Sequence, residues 1–245
     1  MTPTSCSATS ARSSISRWIS NDSAQPFAGS SGRRKPHSPG DRNSMERQDP
    51  TQELWRRLAA ADPGEVSLRA AVAHDPEQQA YLVPLLNAQL RVLPSEKRAE
   101  GAPWAAAWEP MLLCVQYLLT AQDTPPAGEW VDPKSLPCGD FFFRGPHPVP
   151  TAGIEEAFGT RLDAFRAAAE VLGGRPVAMG DAAYEFSFLP RVPAVVILWA
   201  ADDEFPARAK FLLDKFAHRQ LPLDALWVLC RVLAKLLTAA GKAHA

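Results

Sequence analysis

The sequence predicts an α+β domain: a mostly antiparallel sheet with helices packed against it. Three amphipathic helical stripes carry this expectation, together with two adjacent β patterns between the second and third. In one of these, Tyr184, Phe186 and Phe188 alternate with Glu185 and Ser187; the other, Ala194-Val195-Val196-Ile197-Leu198-Trp199, is apolar on both faces. Strands and helices that follow one another in runs, without regular βα alternation, fit a sheet with helices segregated onto it rather than a doubly wound parallel sheet.

In chain order, Thr51 can cap a helix over residues 51–61, with Glu53 near its positive end, Leu54, Trp55 and Leu58 on one side, and Asp62-Pro63-Gly64 to end it. A second short helix falls around residues 65–72. Residues 81–86 and 90–93 read as two short strands joined by a turn at Asn87-Ala88, and Pro84 restricts the first to a sheet edge. Trp104, Trp108, Leu112, Val115 and Leu119 place a helix over 103–122, stopped by Thr124-Pro125-Pro126-Ala127-Gly128. The stripe Ile154, Phe158, Leu162, Phe165, Ala169 and Leu172 predicts one helix ended by Gly173-Gly174. Leu226, Leu229, Cys230, Leu233 and Leu237 predict the third, opened by Pro222 and ended by Gly241. The two-sided apolar run at 194–199 reads as a central strand covered by helices on at least one side, and Lys210-Phe211-Leu212-Leu213 adds another strand.

Composition divides the chain near Met45. The first 44 residues hold 12 of the 16 serines and a formal charge of +4; the whole chain carries −1, which leaves −5 for residues 45–245. So polar a stretch cannot bury enough surface to offset its ordering entropy, so residues 1–44 are expected to be a disordered tail ahead of a single domain at 45–245. A secretory signal does not fit, because no apolar stretch follows the first basic residues. An organellar transit peptide fits the Arg/Ser-rich composition. The reading preferred from composition is a mis-assigned start, with translation beginning at Met45 and the native mass starting there or at Glu46.

The longest apolar run, 194–201, is far short of the roughly 20 residues that cross a bilayer, so no membrane partner is expected. Basic patches with interleaved aromatics are absent from 45–245, so no nucleic-acid partner is expected either. Of the four cysteines, Cys114 and Cys230 fall in apolar helical patterns, Cys138 in a loop and Cys6 in the tail. No pair has C-x-x-C spacing, which points to reduced, structural thiols in a cytoplasmic protein.

Signatures of phosphate loops, dinucleotide folds, nucleophile elbows and zinc proteases are missing. Two stretches stand out. In Phe141-Phe142-Phe143-Arg144-Gly145-Pro146-His147-Pro148, a His between two prolines sits on a stiff loop, a setting that suits a ligand or base. The aromatic run itself reads as a buried strand. In Trp199-Ala200-Ala201-Asp202-Asp203-Glu204-Phe205-Pro206, consecutive acids follow the central strand. Such oxygens accept a hard cation, and His147 added to Asp203 and Glu204 would permit zinc or iron; the plainer reading is a solvated turn. Arg191 is a local counter-ion for Asp203 or Glu204, and Asp181 after Gly180 is a turn residue. The ligand-binding candidates are therefore His147, Asp181, Arg191, Trp199, Asp203 and Glu204, with His147, Asp203 and Glu204 as the metal set.

These same segments resemble the prokaryotic family of domain of unknown function 3786. The resemblance rests on Phe142-Phe143-Arg144-Gly145-Pro146-His147, Gly173-Gly174, Gly180-Asp181, Leu189-Pro190-Arg191-Val192-Pro193, Ile197-Leu198-Trp199, Asp202-Asp203-Glu204-Phe205-Pro206 and Phe211-Leu212-Leu213-Asp214. It implies an α+β cytosolic domain of bacteria and archaea, many of them anaerobes. Some relatives carry a cysteine-rich iron–sulfur segment, a setting of redox or corrinoid-dependent one-carbon metabolism; this chain lacks that segment. No reaction, cofactor or catalytic residue comes with the resemblance. Three functions stay open from the sequence: a binding or accessory protein for a small molecule, a cofactor or a protein; a metal-assisted enzyme using His147, Asp203 and Glu204; and an interaction module with an apolar patch.

Overall fold

The structure, a computed structural model, describes residues 50–144 and 146–242. The tail expected over 1–44, Cys6 and the start at Met45 lie outside the described residues. Two antiparallel sheets and eight α-helices make up the described chain. Helices α1 (Pro50–Ala60) and α2 (Pro63–Ala70) lead into a four-stranded meander of β1 (Ala73–Asp75), β2 (Ala80–Leu85), β3 (Ala88–Leu93) and β4 (Arg98–Glu100). Helix α3 (Trp108–Thr120) follows, then β5 (Trp130–Val131), a 3-10 turn (Pro133–Ser135) and the short α4 (Gly139–Phe142). Next come α5 (Ala152–Phe158), α6 (Leu162–Val171), β6 (Arg175–Pro176), β7 (Ala182–Leu189), β8 (Val192–Trp199), β9 (Arg208–Asp214), α7 (Ala217–Gln220) and α8 (Leu223–Lys242). The second sheet has the order β5-β9-β8-β7-β6, so β8 is its central strand, as the two-sided apolar run requires.

One hydrophobic cluster spans both sheets and their helices. Its axis is α8, buried on most sides and packed against α3, α5 and α6. On the sheet side, Phe165 of α6 meets Tyr184 of β7 edge to face, ring centroids 5.8 Å apart. The two sheets meet where the tight β2–β3 turn docks on β7. Leu86, at φ 53°, donates its N–H to the Phe188 carbonyl at 3.1 Å, and the Asn87 amide donates to the Val171 carbonyl at 2.5 Å.

Four local expectations differ from what forms, and a fifth holds. Pro84 does not confine β2 to an edge; β2 is flanked on both sides, but β1 reaches only Leu82, so no strand asks Pro84 for a donor. The helix expected from 103 begins at Trp108, with Trp104 buried in the turns before it. The 154–172 stripe is two helices, because the chain turns at Gly159. A Cβ there would sit 2.5 Å from the Ala207 Cβ and 2.6 Å from the Glu155 carbonyl, and the Gly159 carbonyl accepts the Ala201 N–H at 2.8 Å. Gly241 stands, as expected, at the end of α8, one residue before Lys242, and lets the Phe158 ring approach to where a Cβ would be 2.3 Å away. Finally, Phe141-Phe142 belong to helix α4 rather than a buried strand; Phe141 is 88% exposed and Phe143 2%.

Candidate functional site

Alternation along β8 points Ala194, Val196 and Leu198 into the main core and Val195, Ile197 and Trp199 out of the opposite face. Across that outer face Ala183, Ile197 and Lys210 form one row, and Glu185, Val195 and Leu212 the next. Val195, Ile197 and Ala183 are buried, yet what covers them is only Trp130, Val177, Met179, Trp199 and Leu212, each partly exposed. Among the described residues no α-helix contributes an apolar side chain to this cluster. Helices therefore layer one side of the sheet, and the other side presents an apolar strip held by side chains alone.

Two ion pairs border the strip: Arg175 with Glu185 at 2.7 Å on the β6–β7 side, and Lys210 with Asp132 at 3.2 Å on the β9–β5 side. Arg208 stands opposite Trp199 in the β8–β9 ladder, is exposed, and forms no ion pair with any described residue. At this end of β8 the chain is pinched. Gly180, at φ +55°, approaches so closely that a Cβ would lie 2.6 Å from Ile197 Cγ2 and 3.3 Å from the Trp199 ring, a combination that only glycine accommodates without strain. Asp181 donates its N–H to the Leu198 carbonyl at 3.1 Å, and its carboxylate accepts the Ala200 N–H at 2.8 Å. Asp181 and Trp199 are thus brought together, with Asp181 serving the turn, as expected, by fixing the end of the strand that carries Trp199.

The other sequence candidates are dispersed. Arg191 does not meet Asp203 or Glu204. Its guanidinium donates to the Arg69 carbonyl at 2.8 Å, the Leu68 carbonyl at 3.2 Å and the Asp123 carboxylate at 2.6 Å, because the β7–β8 turn lies over the C-terminal end of α2. Asp203 and Glu204 lie exposed in the β8–β9 connection, and neither forms an ion pair with a described residue. Beside them, Asp202 accepts the Phe205 N–H at 2.7 Å and the Glu204 N–H at 2.9 Å, and these two donors hold its carboxyl below the ordinary carboxylate range. The acids form the solvated turn.

His147 stacks on Phe142, ring centroids 4.8 Å apart and nearly parallel, and meets Trp227 of α8 edge-on at 5.5 Å. Trp227 fixes the loop by donating its indole N–H to the Pro148 carbonyl at 2.9 Å, with the Arg231 guanidinium 4.6 Å over its ring. Trp104 is buried in the turns before α3, Trp227 is partly exposed on α8, and Trp108, the first residue of α3, is 54% exposed. Among the described residues no three His, Cys, Asp or Glu side chains are grouped closely enough to hold a metal ion, so the structure does not bring His147, Asp203 and Glu204 together as a ligand set. Nor is any helix among them long and apolar enough to cross a membrane.

Sequence reasoning missed Trp130, Val177, Met179 and Leu212 as members, with Trp199, of the cover over Val195 and Ile197, and Arg208 as the residue opposite Trp199. The signal was present: a strand apolar on both faces needs two covers, and the helical stripes provide one layer. The comparisons with curated proteins and with solved structures return no match. The family model described as domain of unknown function (DUF3786) matches residues 62–236, from the first turn of α2 deep into α8 and across every strand of both sheets, and the chain belongs to that family.

Proposed function

We propose that this protein is a non-catalytic binding or accessory protein whose partner, another protein, sits on the outer face of the five-stranded sheet. One observation carries the reading: Val195 and Ile197 of the central strand are buried on a side that no described helix covers, under a thin layer that includes two tryptophans and a methionine. Partly exposed aromatics and methionine on a continuous apolar strip are the composition of recognition surfaces. The polar candidates support the same reading, because Asp181 and Arg191 direct their charged groups at backbone atoms. The family resemblance supports a setting in redox or corrinoid-dependent one-carbon metabolism inside the cytoplasm, where the partner would be a protein of such a system.

The test is differential co-purification from a native host with the full chain as bait. Leu212→Gln, on the face, should lose a protein that the wild type and Phe205→Ser, at the far tip of the β8–β9 connection, both retain. Circular dichroism should show all three equally folded. Equal recovery by Leu212→Gln overturns the assignment of the face.

A further inference from the structure

We draw no further inference here: the strongest candidate, the aromatic cluster of Phe142, His147 and Trp227 where the loop after α4 crosses the start of α8, spends its indole N–H on the Pro148 carbonyl and the Arg231 guanidinium over its indole ring on Glu109, and nothing in the structure shows what would cover the exposed Phe141 beside it.

Discussion

Replacing Arg191 by Met removes three side-chain hydrogen bonds at once: those to the Leu68 and Arg69 carbonyls at the end of α2, and that to Asp123 beyond the end of α3. A hydrogen bond from a charged donor contributes about 1.5–3 kcal/mol when both partners are shielded. Here the discount is substantial. The Leu68 carbonyl also accepts the Ala71 N–H, and the Asp123 side chain is 56% exposed, which limits that ion pair to about 0.5 kcal/mol. Methionine keeps most of the apolar stem. The sum is a loss of about 2–3 kcal/mol, equivalent to a fall in Tm of roughly 5–10 °C for a chain of this size. Arg191→Lys keeps a charge at the helix end but cannot span three acceptors, and should recover about 1 kcal/mol. Urea unfolding followed by far-UV circular dichroism, run on the wild type, both variants and Asp123→Ala, measures all of this. Arg191→Met within 0.5 kcal/mol of the wild type would refute the argument, because a residue kept for a ligand leaves stability untouched when removed.

Four further outcomes are expected. Gly241→Ala gains about 1 kcal/mol of helix propensity but drives a methyl into the Phe158 ring, 2.3 Å away in the static structure, so overpacking of about 2–3 kcal/mol should win; denaturation should show net destabilisation, substantially relieved by the second change Phe158→Leu. Burial pushes the Cys230 thiol up to about 12 and raises Cys114 and Tyr117 as well, so the fold holds all three neutral; their contribution to stability should be full below the unfolded thiol value of about 8.5 and be lost as pH rises towards 12, with a shallower fall in Cys230→Ala. Of the three described cysteines, only the exposed Cys138 should label in the native state by peptide-resolved alkylation. Asp181→Ala removes the acceptor of the Ala200 N–H, and amide exchange there should accelerate about 5- to 30-fold, with Asp181→Asn restoring most of the protection.

Elements whose periodicity is strong were legible from the sequence: α8, β7, β8 and the β2–β3 hairpin fall within a few residues of where the patterns place them, and α3 does so at its C-terminal end. What failed depends on contacts that no local window contains. Residues 154–172 read as one helix because their apolar spacing is unbroken across Gly159, and only the arrival of Ala201 and Ala207, some forty residues later, makes a turn there favourable. Arg191 was read against Asp203 and Glu204, on the connection that follows its strand, whereas its partners lie 68 to 123 residues away. Trp199 and Asp181 were singled out separately, and Gly180 against the Trp199 ring is what joins them. The aromatic run at 141–143 misled because three successive Phe residues satisfy a strand pattern, while Gly139, packed where a Cβ would lie 2.2 Å from the Pro133 carbonyl, opens a helical turn instead.

The docking of the β2–β3 turn onto β7 has a consequence for how the protein is made. Leu86 and Asn87 leave the ribosome with α1, α2 and the meander, but the acceptors that seat them, Phe188 and Val171, follow about a hundred and about eighty residues later. At synthesis rates of roughly 5–20 residues per second, the nascent meander spends several seconds with its tip and apolar face unanchored. Chaperone dependence and ribosome-associated misfolding should therefore concentrate in the N-terminal sheet, although that sheet is the first part completed, and a pause in translation between α3 and β7 should lower the yield of folded protein more than one placed after β9.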